Sequence, residues 1–177
     1  KQLMTFQEIY TQHSKLVFNL ALSYVQNKED AEEITQDVFV SIHQSLTSFR
    51  EQSQISTWIY RISINKSLDF IKAKRTKKRF AIFTSLFHDS GEEMGHGSYT
   101  FDHPGVLLEQ KESAEFIFKQ INKLPEKQKT ALILSKLEQK SQKEIAEIME
   151  ISPKAVESLV QRAKQNLSNY LNIAKEL

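Results

Sequence analysis

Apolar residues return every three or four positions along most of this chain, the spacing of helices with one buried face. Ile9, Leu16, Leu20 and Tyr24 follow it. Thr5, with Glu8 three residues on, has the form of a capping box at the head of this first helix. Asn27 reads as the N-cap of a second helix, and the acids at 29, 30, 32 and 33 suit the positive end of its dipole. Ala31, Ile34, Val38, Ile42 and Leu46 form its apolar stripe, which leaves Glu32, Glu33, Gln36, Asp37, Val40 and His43 on other faces. Phe49–Ser56 is a polar connection, and a third long helix is predicted from about Ser56 through the run KAKRTKKR.

Periodicity then lapses. All four glycines lie between Gly91 and Gly105, in HDSGEEMGHGSYTFDHPG, a stretch of turn formers that reads as a linker. Beyond it Ala114, Ile117 and Ile121 mark a fourth helix, and Pro125 suits the first position of a fifth, which carries Leu132, Ile133 and Leu134. Ser141 and Glu144 repeat the capping-box spacing before a short helix with Ile145, Ala146 and Met149. Ser152 caps a final helix with Pro153 at its first position, and Val156, Leu159, Val160, Ala163 and Leu167 are its apolar side. The expectation is an all-α chain of two small helical domains: residues 1–79, a flexible linker over 80–111, and residues 112–177, each half burying its own core.

Composition removes whole classes of function. The 177 residues include no Cys, 4 Gly and 3 Pro. Disulfide scaffolds, thiolate metal sites and cysteine nucleophiles are excluded, and so are glycine-rich phosphate loops. No apolar run approaches the roughly 18 residues of a membrane span, and no basic-then-apolar leader is present. The chain opens on Lys1 rather than Met, which reads as a trimmed chain. The expectation is a cytoplasmic protein with no direct membrane insertion. His88, His96 and His103, with Asp89 and Asp102, fit no metal spacing, so neither metal nor cofactor is expected.

Charge changes the picture through its distribution. The formal total is +2. Residues 52–79 nevertheless carry Arg61, Lys66, Lys72, Lys74, Arg75, Lys77, Lys78 and Arg79 against Asp69 alone, a net of +7. The flanking segments, 26–51 and 80–118, are acidic at −4 and −6, and residues 119–177 return to +4. Alternation on this scale points to separate surfaces for separate partners.

Two constellations fit nucleic acid. The segment SQKEIAEIMEISPKAVESLVQRAKQNL has the patterning of a helix-turn-helix, with small Ala146 at the helix crossing. Its second helix presents Lys154, Glu157, Ser158, Gln161 and Arg162 outward, behind Lys143, Ser152 and Pro153. Those side-chain types suit base edges and phosphates of a major groove. On the third helix Arg61, Asn65, Asp69 and Lys72 form one polar stripe, with Trp58 and Tyr60 at its entrance. Aromatic rings beside cations are how proteins hold unstacked single strands. Trp58 is equally suited to a core position.

The segment DAEEITQDVFVSIHQSLTSFREQSQISTWIYRISINKSLDFIKAKR resembles region two of bacterial RNA polymerase sigma factors, closest to the two-domain extracytoplasmic-function (ECF) group. LPEKQKTALILSKLEQKSQKEIAEIMEISPKAVESLVQRAKQNL looks like their region four. The resemblance implies a transcription initiation factor without catalysis of its own, which binds core RNA polymerase and promoter DNA and is controlled by an anti-sigma factor. It implies that Glu33, Gln36, Asp37, Phe39 and Val40 dock on the polymerase. Phe49, Arg50, Gln52, Ser53, Trp58, Tyr60, Arg61, Asn65, Lys66, Asp69 and Lys72 then face the melted minus-ten strand, a base of which is flipped into a loop pocket, at a cost that pocket contacts must repay. Lys143, Ser152, Pro153, Lys154, Glu157, Ser158, Gln161 and Arg162 read the minus-thirty-five duplex. The acidic linker suits a channel otherwise used by nucleic acid.

Two positions depart from the family pattern: Glu51 and Glu150 stand where glycine is common. A left-handed backbone at Glu150 costs about 1 kcal/mol. Other readings are a helix-turn-helix regulator with an N-terminal sensor or dimerisation domain, and a helical interaction module without a DNA role. A duplex-only reader does not need the Trp58–Lys72 stripe, and an interaction module does not need the clustered bases.

Overall fold

The computed structural model describes residues 4–49, 53–87 and 111–175. These form α1 (Phe6–Val25), α2 (Lys28–Ser45), a 3-10 turn (Leu46–Ser48), α3 (Ile55–Phe87), α4 (Lys111–Ile121), α5 (Glu126–Lys136), α6 (Gln142–Met149) and α7 (Pro153–Lys175). No strand occurs among the described residues.

The helix starts follow the sequence closely. Thr5 and Glu8 close a reciprocal box, with Thr5 N–H donating to the Glu8 carboxylate at 2.7 Å and Glu8 N–H donating to Thr5 Oγ1 at 3.3 Å. Asn27 Oδ1 accepts from Asp30 N–H at 2.8 Å. Ser141 and Glu144 repeat the box on α6, and Ser152 Oγ accepts from Ala155 N–H at 3.2 Å on α7. Each such cap contributes about 1 kcal/mol. Two boundaries differ from expectation. Pro125 is the N-cap of α5 rather than its first helical residue, because its carbonyl already accepts the helix bond from Lys129 N–H. Helix α3 also runs on past residue 79 to Phe87, since the residues after the basic run include no breaker before Gly91.

Ile9, Val17, Ala21, Ala31, Ile34, Val38, Ile42 and Ile59 bury one core among α1, α2 and the start of α3. Phe118, Ile121, Leu124, Leu132 and Ala163 bury a smaller one in the C-terminal half. A third core belongs to neither half alone. Leu20, Tyr24, Tyr60 and Ile64 meet Ile133, Leu134, Ile145, Ala146, Ile148 and Val156 in one cluster. Each half thus has a core of its own, and the shared cluster is one that the sequence did not disclose. The C-terminal domain packs on the N-terminal one, and fully burying each large apolar side chain there contributes roughly 1.5–3 kcal/mol.

Polar groups stitch the same boundary. Tyr24 Oη and Thr130 Oγ1 lie 2.7 Å apart. Lys129, buried, donates to the Tyr24 carbonyl at 3.1 Å and to Asn122 Oδ1 at 2.6 Å. Asn122 Nδ2 donates to Gln26 Oε1 at 2.6 Å. Among the described residues, Gln26, Gln139 and Glu150 are the non-glycine residues of positive φ, at 58°, 52° and 56°. Each costs roughly 1 kcal/mol of backbone strain, and Gln26 and Glu150 cap α1 and α6 where the halves meet.

Candidate nucleic-acid interface

The polar stripe of α3 begins beside a pair of rings, Phe49 and Trp58, with centroids 4.8 Å apart and planes tilted by 36°. Trp58 is half-buried and packs against the N-terminal core, the core position to which the sequence equally suited it. Asn65, Asp69 and Lys72 are exposed on α3, while Ser53 and Lys66 are half-buried. Ser63 and Ser67, fully buried on the opposite face, return their hydroxyls to the carbonyls of Ile59 and Ser63. That back-bonding satisfies them inside the core. Arg50, Glu51 and Gln52 lie outside the described residues, as do His88, Asp89, His96, Asp102 and His103. Among the described residues no group of acids and histidines is placed to hold a metal ion.

Tyr60 and Arg61 are not presented as the spacing predicts. Tyr60 is 3% exposed. Its hydroxyl donates to Glu138 at 2.8 Å, and Lys140 Nζ sits 5.1 Å from its ring centroid. Burial, followed by the nearby Glu138 charge, raises the phenol's pKa far above its usual range. Arg61 Nη2 donates to the Glu147 carbonyl at 2.7 Å, and Nη1 pairs with the Glu150 carboxylate at 3.1 Å. Lys72 pairs with Glu126 at 3.4 Å. The period of α3 told which residues share its polar face but not that the other domain covers part of that face.

The helix-turn-helix assembles as read. Ile145, Ala146 and Ile148 of α6 and Val156 of α7 are buried. Gln142 Nε2 donates to the Pro153 carbonyl at 2.6 Å, tying the two helix starts together. The Ser141 hydroxyl and N–H, then Lys140, hold the Glu144 carboxyl down at about 2. Lys143, Ser152, Pro153, Lys154, Glu157, Gln161 and Arg162 are exposed and Ser158 half-exposed, so this face stays open. Glu150 sits in the turn at φ 56°, ψ 43°.

On α2, Glu33, Gln36 and Asp37 are exposed and Val40 is 54% exposed. Phe39, expected on that docking surface, is 5% exposed. It faces inward because it lies one residue from Val38 on the core side of the helix. Its ring instead supports Tyr10, 4.7 Å away in an edge contact, and Phe6, 6.3 Å away. Phe6, Tyr10 and His43 thus join Gln36, Phe39 and Val40 around one groove. Sequence reading missed Phe6 and Tyr10, although their i, i+4 spacing on α1 marks them as neighbours.

The family model described as Sigma-70 region 2 matches residues 9–77, and that described as Sigma-70, region 4 matches residues 117–167. The ECF RNA polymerase sigma-E factor of Haemophilus influenzae is 30% identical over 171 residues, covering 89% of this chain and 89% of that protein. RNA polymerase sigma factor YlaC of Bacillus subtilis is 27% identical over 172 residues, covering 97% and 95%. Among solved structures, the sigma factor RpoE of Bartonella quintana, in complex with the anti-sigma factor NepR, aligns with a TM-score of 0.62 at 20% identity. That alignment covers 95% of this chain and 97% of that one, and the likeness is of fold. With both regions matched in order and a relative of this identity along nearly its whole length, the chain belongs to the ECF RNA polymerase sigma factors.

Proposed function

We propose that the protein acts in the cytoplasm, without catalysis of its own, by joining core RNA polymerase and directing it to promoters. Residues 1–79 dock on polymerase and hold the melted minus-ten strand, residues 112–177 read the minus-thirty-five duplex, and residues 80–111 connect them. One observation carries this reading: a single chain holds two nucleic-acid surfaces of opposite design. The α3 surface sets the Phe49–Trp58 pair beside Asn65, Lys66 and Lys72, which suits unpaired bases. The α6–α7 surface offers Lys154, Gln161 and Arg162 on an exposed helix, which suits duplex edges. A factor that opens DNA needs both.

Polymerase docking falls to the exposed Glu33, Gln36, Asp37 and Val40, with Tyr10 at their rim, 46% exposed. An apolar centre inside a charged margin is the usual composition of such interfaces. No helix among the described residues is long and apolar enough to cross a membrane. Control by an anti-sigma factor is supported by the B. quintana relative, which was captured with one. Run-off transcription from a genomic promoter library, with purified core polymerase with and without the protein, tests the proposal. Promoter-dependent transcripts are expected only with it, and their absence throughout overturns it.

A further inference from the structure

We propose that the cavity between the two halves is a binding site for a nucleoside diphosphate, with the phosphates on its cations and the base against its apolar wall. None of the residues lining it belongs to the sets assigned to polymerase or to DNA, so the site stands independently of those assignments.

The cavity has a volume of about 380 Å³, inside the roughly 300–1,000 Å³ range of small-molecule sites. Its lining includes a buried charge without a counter-ion. Lys129 is 5% exposed, and its ammonium donates to two neutral oxygens, the Tyr24 carbonyl and Asn122 Oδ1. One of its three donors is left over, and among the described residues no carboxylate pairs with it. Buried charges are ordinarily paired. Burial, and then the like charge of Arg75, instead push this lysine's pKa down to about 7.

Arg75 and Lys78 of α3 and Lys119 of α4 line the same cavity. Among the described residues no acid lies within ion-pair distance of these three. The acids present are Asp30 and Glu115, and Asp30 is committed to Lys74 and Asn27. Cations gathered from both halves without acids between them suit an anion of several charges, as a diphosphate is. Val25, Phe70, Ile71 and Phe118 add an apolar wall beside them. A bare phosphate or pyrophosphate gains nothing from such a wall, whereas a flat base does. The walls come from all of α1 to α5, and a pocket of this size holds one nucleotide rather than a run of them.

Calorimetric titration of the full chain tests the site, with ADP as the probe and adenosine, pyrophosphate and a short single-stranded DNA as comparisons. One ADP is expected per chain, with adenosine and pyrophosphate each binding at least about tenfold more weakly. Arg75→Glu and Lys119→Glu alter exposed side chains on different helices. Each is expected to weaken ADP about tenfold, the scale of a charge-assisted hydrogen bond. Lys77→Glu lies on the same helix as Arg75 but outside the cavity, and is expected to change affinity less than about twofold. A bound phosphate also favours protonated Lys129. Affinity is therefore expected to fall as pH rises from 7 to 9 in the parent, and to stay level in Lys129→Met. The other charged or titratable groups facing that lysine are Asp30, Lys74, Arg75, Lys78, Glu115 and Lys119, with the Tyr24 phenol. The proposal is overturned if ADP does not bind, or binds no more tightly than pyrophosphate. It is overturned too if Lys77→Glu weakens ADP as much as Arg75→Glu does, which places the nucleotide on the basic helix at large. Loss of single-stranded DNA affinity equal to that of ADP in Lys119→Glu makes a strand the occupant and has the same effect.

Discussion

Tyr24 and Thr130 stand 106 residues apart in the chain, yet their side-chain oxygens meet at 2.7 Å in a buried bond across the domain boundary. Both groups are withdrawn from water, so the bond is expensive to break from one side only. Thr130→Val leaves the Tyr24 hydroxyl buried without its partner and is expected to cost about 1–3 kcal/mol. Tyr24→Phe with Thr130→Val removes both polar groups and is expected to recover part of that loss. Urea unfolding of the two single variants and the pair, read as a double-mutant cycle, measures the coupling.

Lys129 makes closure sensitive to pH. Burial, and then the neighbouring Arg75 charge, push its pKa down to about 7 from lysine's ordinary 10.5. Lys74, Lys78 and Lys119 line the same cavity, with Asp30 and Glu115 the acids there. Below about pH 7 the lysine is protonated whether buried or exposed, and the cost of a buried ammonium is fully present. Above pH 7 the buried form gives up a proton that the exposed form keeps until near 10.5. The closed, folded protein therefore strengthens as pH rises through this window, by at most about 1.4 kcal/mol per pH unit. Urea midpoints at pH 7 and pH 9 are expected to differ in the parent and to converge in Lys129→Met.

Substitutions at Trp58 and Asn65 are expected to separate promoter opening from polymerase binding. Asn65 is exposed, so Asn65→Ala is expected to leave the melting temperature unchanged while slowing open-complex formation. Trp58→Ala removes the partner of Phe49 and a contact with the core, so it is expected to slow opening and also cost about 1–3 kcal/mol of stability. Permanganate footprinting of opening beside a polymerase pull-down distinguishes these effects. Equal loss of polymerase binding in both variants contradicts the assignment.

Val40→Asp and Tyr10→Ala address the opposite face. Both side chains are largely in water, at 54% and 46% exposure. Each is expected to weaken association with core polymerase about tenfold, the scale of an interface anchor, and to leave far-ultraviolet circular dichroism unchanged. On the duplex side, Arg162→Ala is expected to weaken minus-thirty-five binding and lower its salt dependence by about one unit of log–log slope.

What the sequence disclosed divides along a physical line. Caps are local, so Thr5, Asn27, Ser141 and Ser152 marked four helix starts within a few residues of chain. The helix-turn-helix face was legible for the same reason: its two helices are neighbours in sequence. Periodicity says which side of a helix is apolar but not what covers it. Leu20 and Tyr24 read as ordinary core positions of α1, and their burial comes from Ile133, Leu134 and Ile145, far along the chain. Tyr60 looked free for the same reason. Phe39 failed differently: beside Val38 and Val40 its direction rests on the helix phase alone, and it points inward, toward Phe6 and Tyr10.

Helix α3 spans 33 residues, and at 1.5 Å per residue it is about 50 Å long. Its first turns are gripped on several sides through Ile59, Tyr60, Ser63 and Ile64, whereas every side chain from Lys72 to Arg79 is exposed. Mechanically it is a cantilever. A tilt of about 10° at the clamped end, near Trp58, sweeps the tip at Phe87 through roughly 8 Å, on the same rise per residue. The end of α3 is thus geared to the Phe49–Trp58 pair at its start, so a small adjustment at the base becomes a large displacement at the tip.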